Sequence, residues 1–144
     1  MAKKKWPGIS VTEEDRQIIK RVQDFNGVLR SADMKDIFLT AASLAVKKDV
    51  PPYITSDPKN SNIVHPDLLN KDEYAEYRQY ISLIFFLTEG KKDLTNMSDT
   101  SVMVKNFIDY GERGLRLLEQ DYLQANDGSN KLFNEFVQLL VPSK

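Results

Sequence analysis

The sequence predicts an all-α fold, a single-domain bundle of about five helices with one long Pro-rich loop. Three observations carry that expectation. Apolar residues recur at three- and four-residue steps in five separate segments, the period that lines one face of an α-helix. Each segment begins near Ser, Thr, Asp or Asn and ends near Gly or Pro, which are the usual helix boundary residues. No run alternates apolar and polar residues between two turn signals, so no sheet is expected. If a strand pair exists, residues 28–30 are the place for it.

The first eight residues read as a flexible basic tail, and 9–144 as the domain. The first helix is expected over 11–25, with Ile18, Val22, Phe25 and Leu29 on one face. Thr12 is its N-cap, and Glu13, Glu14 and Asp15 sit at the positive end of the helix dipole. Asn26-Gly27 stops it. Ser31 or Asp33 caps the second helix, which runs to about Lys48 and ends before Pro51-Pro52. Met34, Ile37, Phe38, Ala41, Leu44 and Ala45 form its stripe. The small residues Ala41, Ala42 and Ala45 let another helix approach closely.

Residues 49–70 form the long connection, with Pro51, Pro52, Pro58 and Pro66 among Asp, Ser and Asn. That composition is turn chemistry. The third helix is expected over 71–89, capped by Asn70 and stopped by Gly90. The fourth runs from Ser98 or Asp99 to about Gln124. A turn at 126–128 leads to a short fifth helix over 130–141, with Leu132, Phe133, Phe136, Val137 and Leu140 inside.

Composition excludes several chemistries. The 144 residues include no Cys and one His, so there is no disulfide framework, thiolate metal site or Cys nucleophile. The absence of Cys fits a cytoplasmic location. The longest apolar run, 81–87, is too short to span a membrane. No apolar segment follows the N-terminal lysines, so no secretory signal is expected. The net charge is -1. Without Lys3, Lys4 and Lys5, 17 basic residues face 21 acidic ones, a poor footing for phosphate binding.

His65 is the one imidazole, and no cluster of ligands surrounds it in sequence. It reads as an extended residue before Pro66, and neither a metal nor another cofactor is expected. The segment 72–80 is rich in Tyr and carboxylates. Tyr74, Tyr77 and Ile81 suit a core stripe, which leaves Tyr80 off that stripe. An exposed Tyr beside an Arg suits recognition, since these residue types dominate interface hot spots. Tyr77, Arg78 and Tyr80 are therefore partner-binding candidates, with Arg113 and Arg116 on the next helix as a clamp for acidic groups. Gly111 and Gly114 interrupt that helix at a cost of about 1 kcal/mol each. The expected return is close packing at Gly111, against the Ala41/Ala42/Ala45 face. A second reading gives Lys3, Lys4, Lys5 and Trp6 a nucleic-acid role, with charge on phosphates and the indole stacked on a base.

Lys35-Asp36-Ile37-Phe38-Leu39-Thr40-Ala41-Ala42-Ser43-Leu44-Ala45 resembles a helix of the small accessory proteins of bacterial DNA phosphorothioation (Dnd-type) and related phage-defence clusters. Asp109-Tyr110-Gly111-Glu112-Arg113-Gly114-Leu115 is similar to a later helix of the same proteins. Ala45-Val46 stands where that family has a Gly-aromatic pair, and Arg113-Gly114 where it has a double Gly. The resemblance implies a small helical accessory protein and supplies no catalytic residues. Together the readings give a non-enzymatic interaction protein of a bacterial defence or DNA-modification system, docking onto a larger protein. The alternative is a small nucleic-acid-binding regulator that uses the basic tail and the turn between the first two helices.

Overall fold

The structure, a computed structural model, describes residues 5–27, 29–90 and 99–123. It is mainly helical. In chain order the elements are β1 (Ile9–Val11), α1 (Glu13–Asp24), α2 (Met34–Lys47), β2 (Ser61–Val64), α3 (Pro66–Leu69), α4 (Ala75–Phe85) and α5 (Thr100–Leu118). A 3-10 turn over Asp72–Tyr74 leads into α4. Wide π turns extend α4 through Phe86–Gly90 and α5 through Glu119–Leu123. The expected fifth helix over 130–141 lies outside the described residues.

The expected boundaries of α1 hold because they are local chemistry. Thr12 accepts from the Asp15 N–H, and the Asp15 carboxylate accepts from the Thr12 N–H. This reciprocal box satisfies two donors that a helix start otherwise leaves open. Asp33 precedes α2. Asp49 follows α2 in the left-handed region, with φ 54°, and the chain then turns away at Val50 and Pro51.

The absence of a sheet is corrected. β1 and β2 form a two-stranded antiparallel sheet, with Ile9 opposite Val64 and Val11 opposite Ser61. Ile9, Val11 and Val64 are buried in the common core, so the pair closes one side of the bundle. Residues 29 and 30 lie in a turn instead. The third helix is also corrected. Asn70 caps the end of α3 rather than the start of a helix over 71–89, and the regular α-helix begins only at Ala75. The basic tail is anchored from Lys5 onward. Asn70 holds both the N–H and the C=O of Trp6, and the Thr100 hydroxyl donates to the Lys5 carbonyl. Trp6 packs against the core, half-buried.

The most extensive contact is α2 against α5. The two small-residue stripes meet there, at positions one turn removed from the expected pairing. A Cβ on Gly114 would fall on the Ala41 carbonyl, and one on Gly111 would fall inside the Phe38 ring. Both glycines are therefore required by close approach, which offsets their helix-propensity cost. Phe38 in turn meets Phe107 edge-on at 5.4 Å, and Phe107 meets Tyr77 of α4 at 5.9 Å. Edge-to-face rings at these separations are favourable beyond their buried area. This aromatic chain ties α4 to the α2/α5 seam.

Candidate functional site

Two polar regions stand out. The first lies where α1, α5 and the connection after α2 meet. Tyr53 donates its N–H to the Asp109 carbonyl at 3.0 Å. Its ring carries the Arg116 guanidinium at 4.0 Å and the Arg113 guanidinium at 5.3 Å. Arg113 Nε donates to the Pro51 carbonyl at 3.1 Å. Arg116 pairs with Asp15 and reaches Glu14 at 3.4 Å. Lys59 Nζ meets Glu112 Oε1 at 2.5 Å. Asp15 and Glu112 are fully buried. Arg113 and Arg116, the expected clamp for acidic groups, both have partners within their own chain. They clamp the connection to α5.

Two buried carboxyl groups side by side cannot both ionise cheaply. Burial alone would raise Asp15, but hydrogen bonds from Glu112, Arg116 and the Thr12 backbone outweigh it and lower its pKa. Glu112 moves the other way. Burial and its hydrogen bond to Asp15 push it up to about 8, against the opposing pull of Lys59. The opposite shifts make Glu112, rather than Asp15, the member of the pair that keeps a proton more readily. Glu112 Oε2 is buried and has no hydrogen-bond partner among the described residues.

The second region is the outer side of α4. Here the sequence expectation divides. Tyr77 is buried, and its hydroxyl donates to the Lys35 carbonyl at 2.7 Å. Burial, with Asp36 and Tyr74 nearby, raises its pKa, so it stays a neutral donor. Arg78 donates to the Leu69 and Lys71 carbonyls at 2.6 and 2.7 Å. It stitches the end of α3 and the following turn to α4. Tyr77 and Arg78 thus both have acceptors within the chain. Tyr80 stays outward, donating its hydroxyl to Glu76 at 3.0 Å.

Sequence reasoning missed what surrounds Tyr80. Tyr80, Leu83, Phe86 and Leu87 are 41, 50, 42 and 47% exposed. Tyr80, Leu83 and Leu87 fall at helical steps of three and four, so they share a face. The signal was present in the sequence. The apolar run 81–87 is longer than one core stripe on a half-buried helix needs.

Beside this face, the first turn of α2 and the start of α4 flank an open surface cleft of about 270 Å³. Tyr74, Tyr77 and Tyr80 line it, together with Asp36, Glu73 and Glu76. Lys35 supplies its one ammonium, 3.0 Å from Asp36, 3.9 Å from Asp33 and 5.9 Å from the centroid of the Tyr74 ring. Burial works against the Lys35 charge, but Asp36, Tyr74 and Asp33 hold its pKa above the ordinary value.

The remaining candidates are simpler. Lys3 and Lys4 lie outside the described residues, Lys5 is exposed, and Trp6 is anchored as given above. His65 caps α3, its Nδ1 accepting from the Asp67 N–H at 3.3 Å. Among the described residues no group of three or more acidic or His side chains is placed to hold a metal ion. No described helix is long and apolar enough to cross a membrane. Comparison with family models, curated proteins and solved structures returns no match.

Proposed function

We propose that this chain is a non-enzymatic interaction module that docks onto a larger protein through the outer face of α4. The observation that carries the reading is the row Tyr80, Leu83, Phe86 and Leu87, each more than two-fifths exposed on one short stretch. Scattered apolar side chains on a surface need no explanation, but a contiguous row on one helix face is a mark of an interface. Its centre is apolar, and Glu76 and Tyr80 give it a polar edge, the usual anatomy of a binding surface. The partner belongs, on this reading, to a bacterial defence or DNA-modification complex.

That last step rests on the resemblance of segments 35–45 and 109–115. Ile37, Phe38, Ala41 and Ala42 of the first segment are buried, as are Gly111, Gly114 and Leu115 of the second. Both segments lie at the α2/α5 seam, so the resemblance supports a shared packing scheme first and a shared role only through it. The nucleic-acid alternative draws less support, because Trp6 is partly buried against the core and its backbone is held by Asn70.

The test is co-purification from the native host with wild-type protein and with the Leu83→Ser/Leu87→Ser variant. A specific large partner should be recovered with the wild type and lost with the variant, at an unchanged melting temperature. Equal recovery with both proteins rejects the α4 face. Turnover of nucleotide or nucleic acid by the purified chain rejects the non-enzymatic reading.

A further inference from the structure

The cleft beside the docking row has a chemistry of its own. Three tyrosines and three carboxylates line it against a single ammonium, so its lining is aromatic and net negative. Aromatic faces attract cations through the ring quadrupole, and neighbouring carboxylates add a counter-charge. At about 270 Å³ it falls just below the ~300–1,000 Å³ of sites that hold drug-sized molecules. A side-chain-sized group fits that space better than a nucleotide or a flavin does.

We propose that this cleft binds an organic cation, an alkylammonium or guanidinium group, against Tyr74 and Tyr80 with Glu73 and Glu76 as counter-charges. Lys35 already demonstrates the chemistry. Its ammonium rests between Asp36 and the Tyr74 ring, and the surroundings favour its charge despite partial burial. Lys35 is itself engaged with Asp36 and Asp33. Glu73 has no ion-pair or hydrogen-bond partner among the described residues, and Glu76 accepts only from the neutral Tyr80 hydroxyl. Two carboxylates on the lining are therefore not neutralised by a cation. An anionic ligand would meet three like charges and one already paired ammonium, so anions are disfavoured. The cleft shares Tyr80 and Glu76 with the polar edge of the docking surface but none of Leu83, Phe86 and Leu87, so the inference can be tested apart from the docking reading.

The cation has two natural sources: a Lys or Arg side chain of a protein, or a free polyamine. The full chain, labelled with ¹⁵N, is titrated at low salt with four probes. These are N-acetyl-lysine methylamide, N-acetyl-arginine methylamide, spermidine, and N-acetyl-glutamate methylamide as the anionic control. Saturable shifts are expected at residues 35–36 and 73–80 with at least one cation and not with the control. Saturation by the lysine or arginine probe assigns a side-chain ligand, and saturation by spermidine alone assigns a polyamine. Tyr80→Ala should weaken binding about two- to fivefold, the range of an exposed cation–ring contact. Glu73→Gln/Glu76→Gln should weaken it further. Lys35→Met should tighten it, because a resident like charge is removed. Absence of saturation with all three cations, equal response to the control, or an unchanged affinity in Glu73→Gln/Glu76→Gln overturns the proposal. Leu83→Ser/Leu87→Ser should leave the cation shifts intact even where it abolishes docking, so the two readings fail separately.

Discussion

Helices α5 and α4 are neighbours, and both carry Tyr, Arg and Glu. They use those residues in opposite ways. In α5 the polar groups turn inward or onto the chain itself: Arg116 onto Asp15, Glu112 onto Lys59, Arg113 onto the Pro51 carbonyl. In α4 Tyr77, Arg78 and Ser82 are used this way, whereas Glu76, Tyr80, Leu83 and, in the extension, Leu87 face outward. The difference follows from position. α5 is packed by α1, α2, α4 and β1, so each of its buried polar groups must find a partner inside the molecule or lose hydration uncompensated. α4 lies at the edge and has one free side. A helix packed on several sides thus finds intramolecular partners for its Arg and Tyr side chains, and a helix at the edge leaves some of them facing solvent.

The most severe test of this contrast is Asp15→Ala. It removes the buried partner of Arg116 and half of the α1 capping box. Breaking a buried ion pair from one side costs about 3–5 kcal/mol, since the remaining charge stays desolvated. Urea denaturation should show a loss in that range. A loss near zero would mean that the α5 cluster is as dispensable as a surface pair.

Next is Gly114→Ala, which drives a Cβ into the Ala41 backbone carbonyl. Backbone cannot rotate away, so about 3 kcal/mol is expected, the upper end of ordinary overpacking. Gly111→Ala meets the Phe38 ring instead and should cost less, because a side chain can shift. The order of the two melting temperatures checks the seam directly. A reversed order would mean that α2 and α5 adjust as whole helices.

The third test is pH. Glu112 is raised from 4.5 to about 8 in the folded protein. Between those values the unfolded chain has released this proton while the folded chain keeps it, so rising pH favours unfolding. Stability should fall across that window by up to about 1.4 kcal/mol per pH unit and level off above it. Asp15, whose pKa is lowered, acts in the opposite sense only at acid pH, below its ordinary value. Glu112→Gln keeps a donor toward Asp15 and an acceptor for Lys59 without a titrating proton. It should flatten the slope between pH 5 and 8. An equal slope in both proteins would move the titrating proton elsewhere.

What the sequence disclosed tracks separation along the chain. The Thr12/Asp15 box spans three residues and is visible as a motif. The small-residue stripes on α2 and α5 are visible as periodicity, although which Gly meets which Ala depends on the crossing and is not. β1 and β2 pair residues some 52 positions apart over three or four residues each, too short to show an alternating pattern. Asp15 and Arg116 are 101 positions apart, and Lys59 and Glu112 are 53 apart. Nothing local tells Arg116, which is spent internally, from an Arg that is free. Nor does anything local show that Tyr77 and Arg78 have acceptors among the carbonyls of other segments. The α4 row was legible in the run 81–87, had its length been weighed against one stripe.

The smallest effect on stability, and the sharpest on the comparison, belongs to Leu83→Ser/Leu87→Ser. Both side chains are about half exposed, and substitutions at such positions usually change stability by no more than about 0.5 kcal/mol. If the outer face of α4 simply faces solvent, the variant should be indistinguishable from wild type in every assay. If it is an interface, the two leucines are fully desolvated in the complex, and partner affinity should fall by about 1 kcal/mol or more for each anchor. Paired melting curves and partner titrations separate these outcomes. The α4 reading requires a loss of binding with no loss of fold, whereas any such substitution in the inward face of α5 should lose both together.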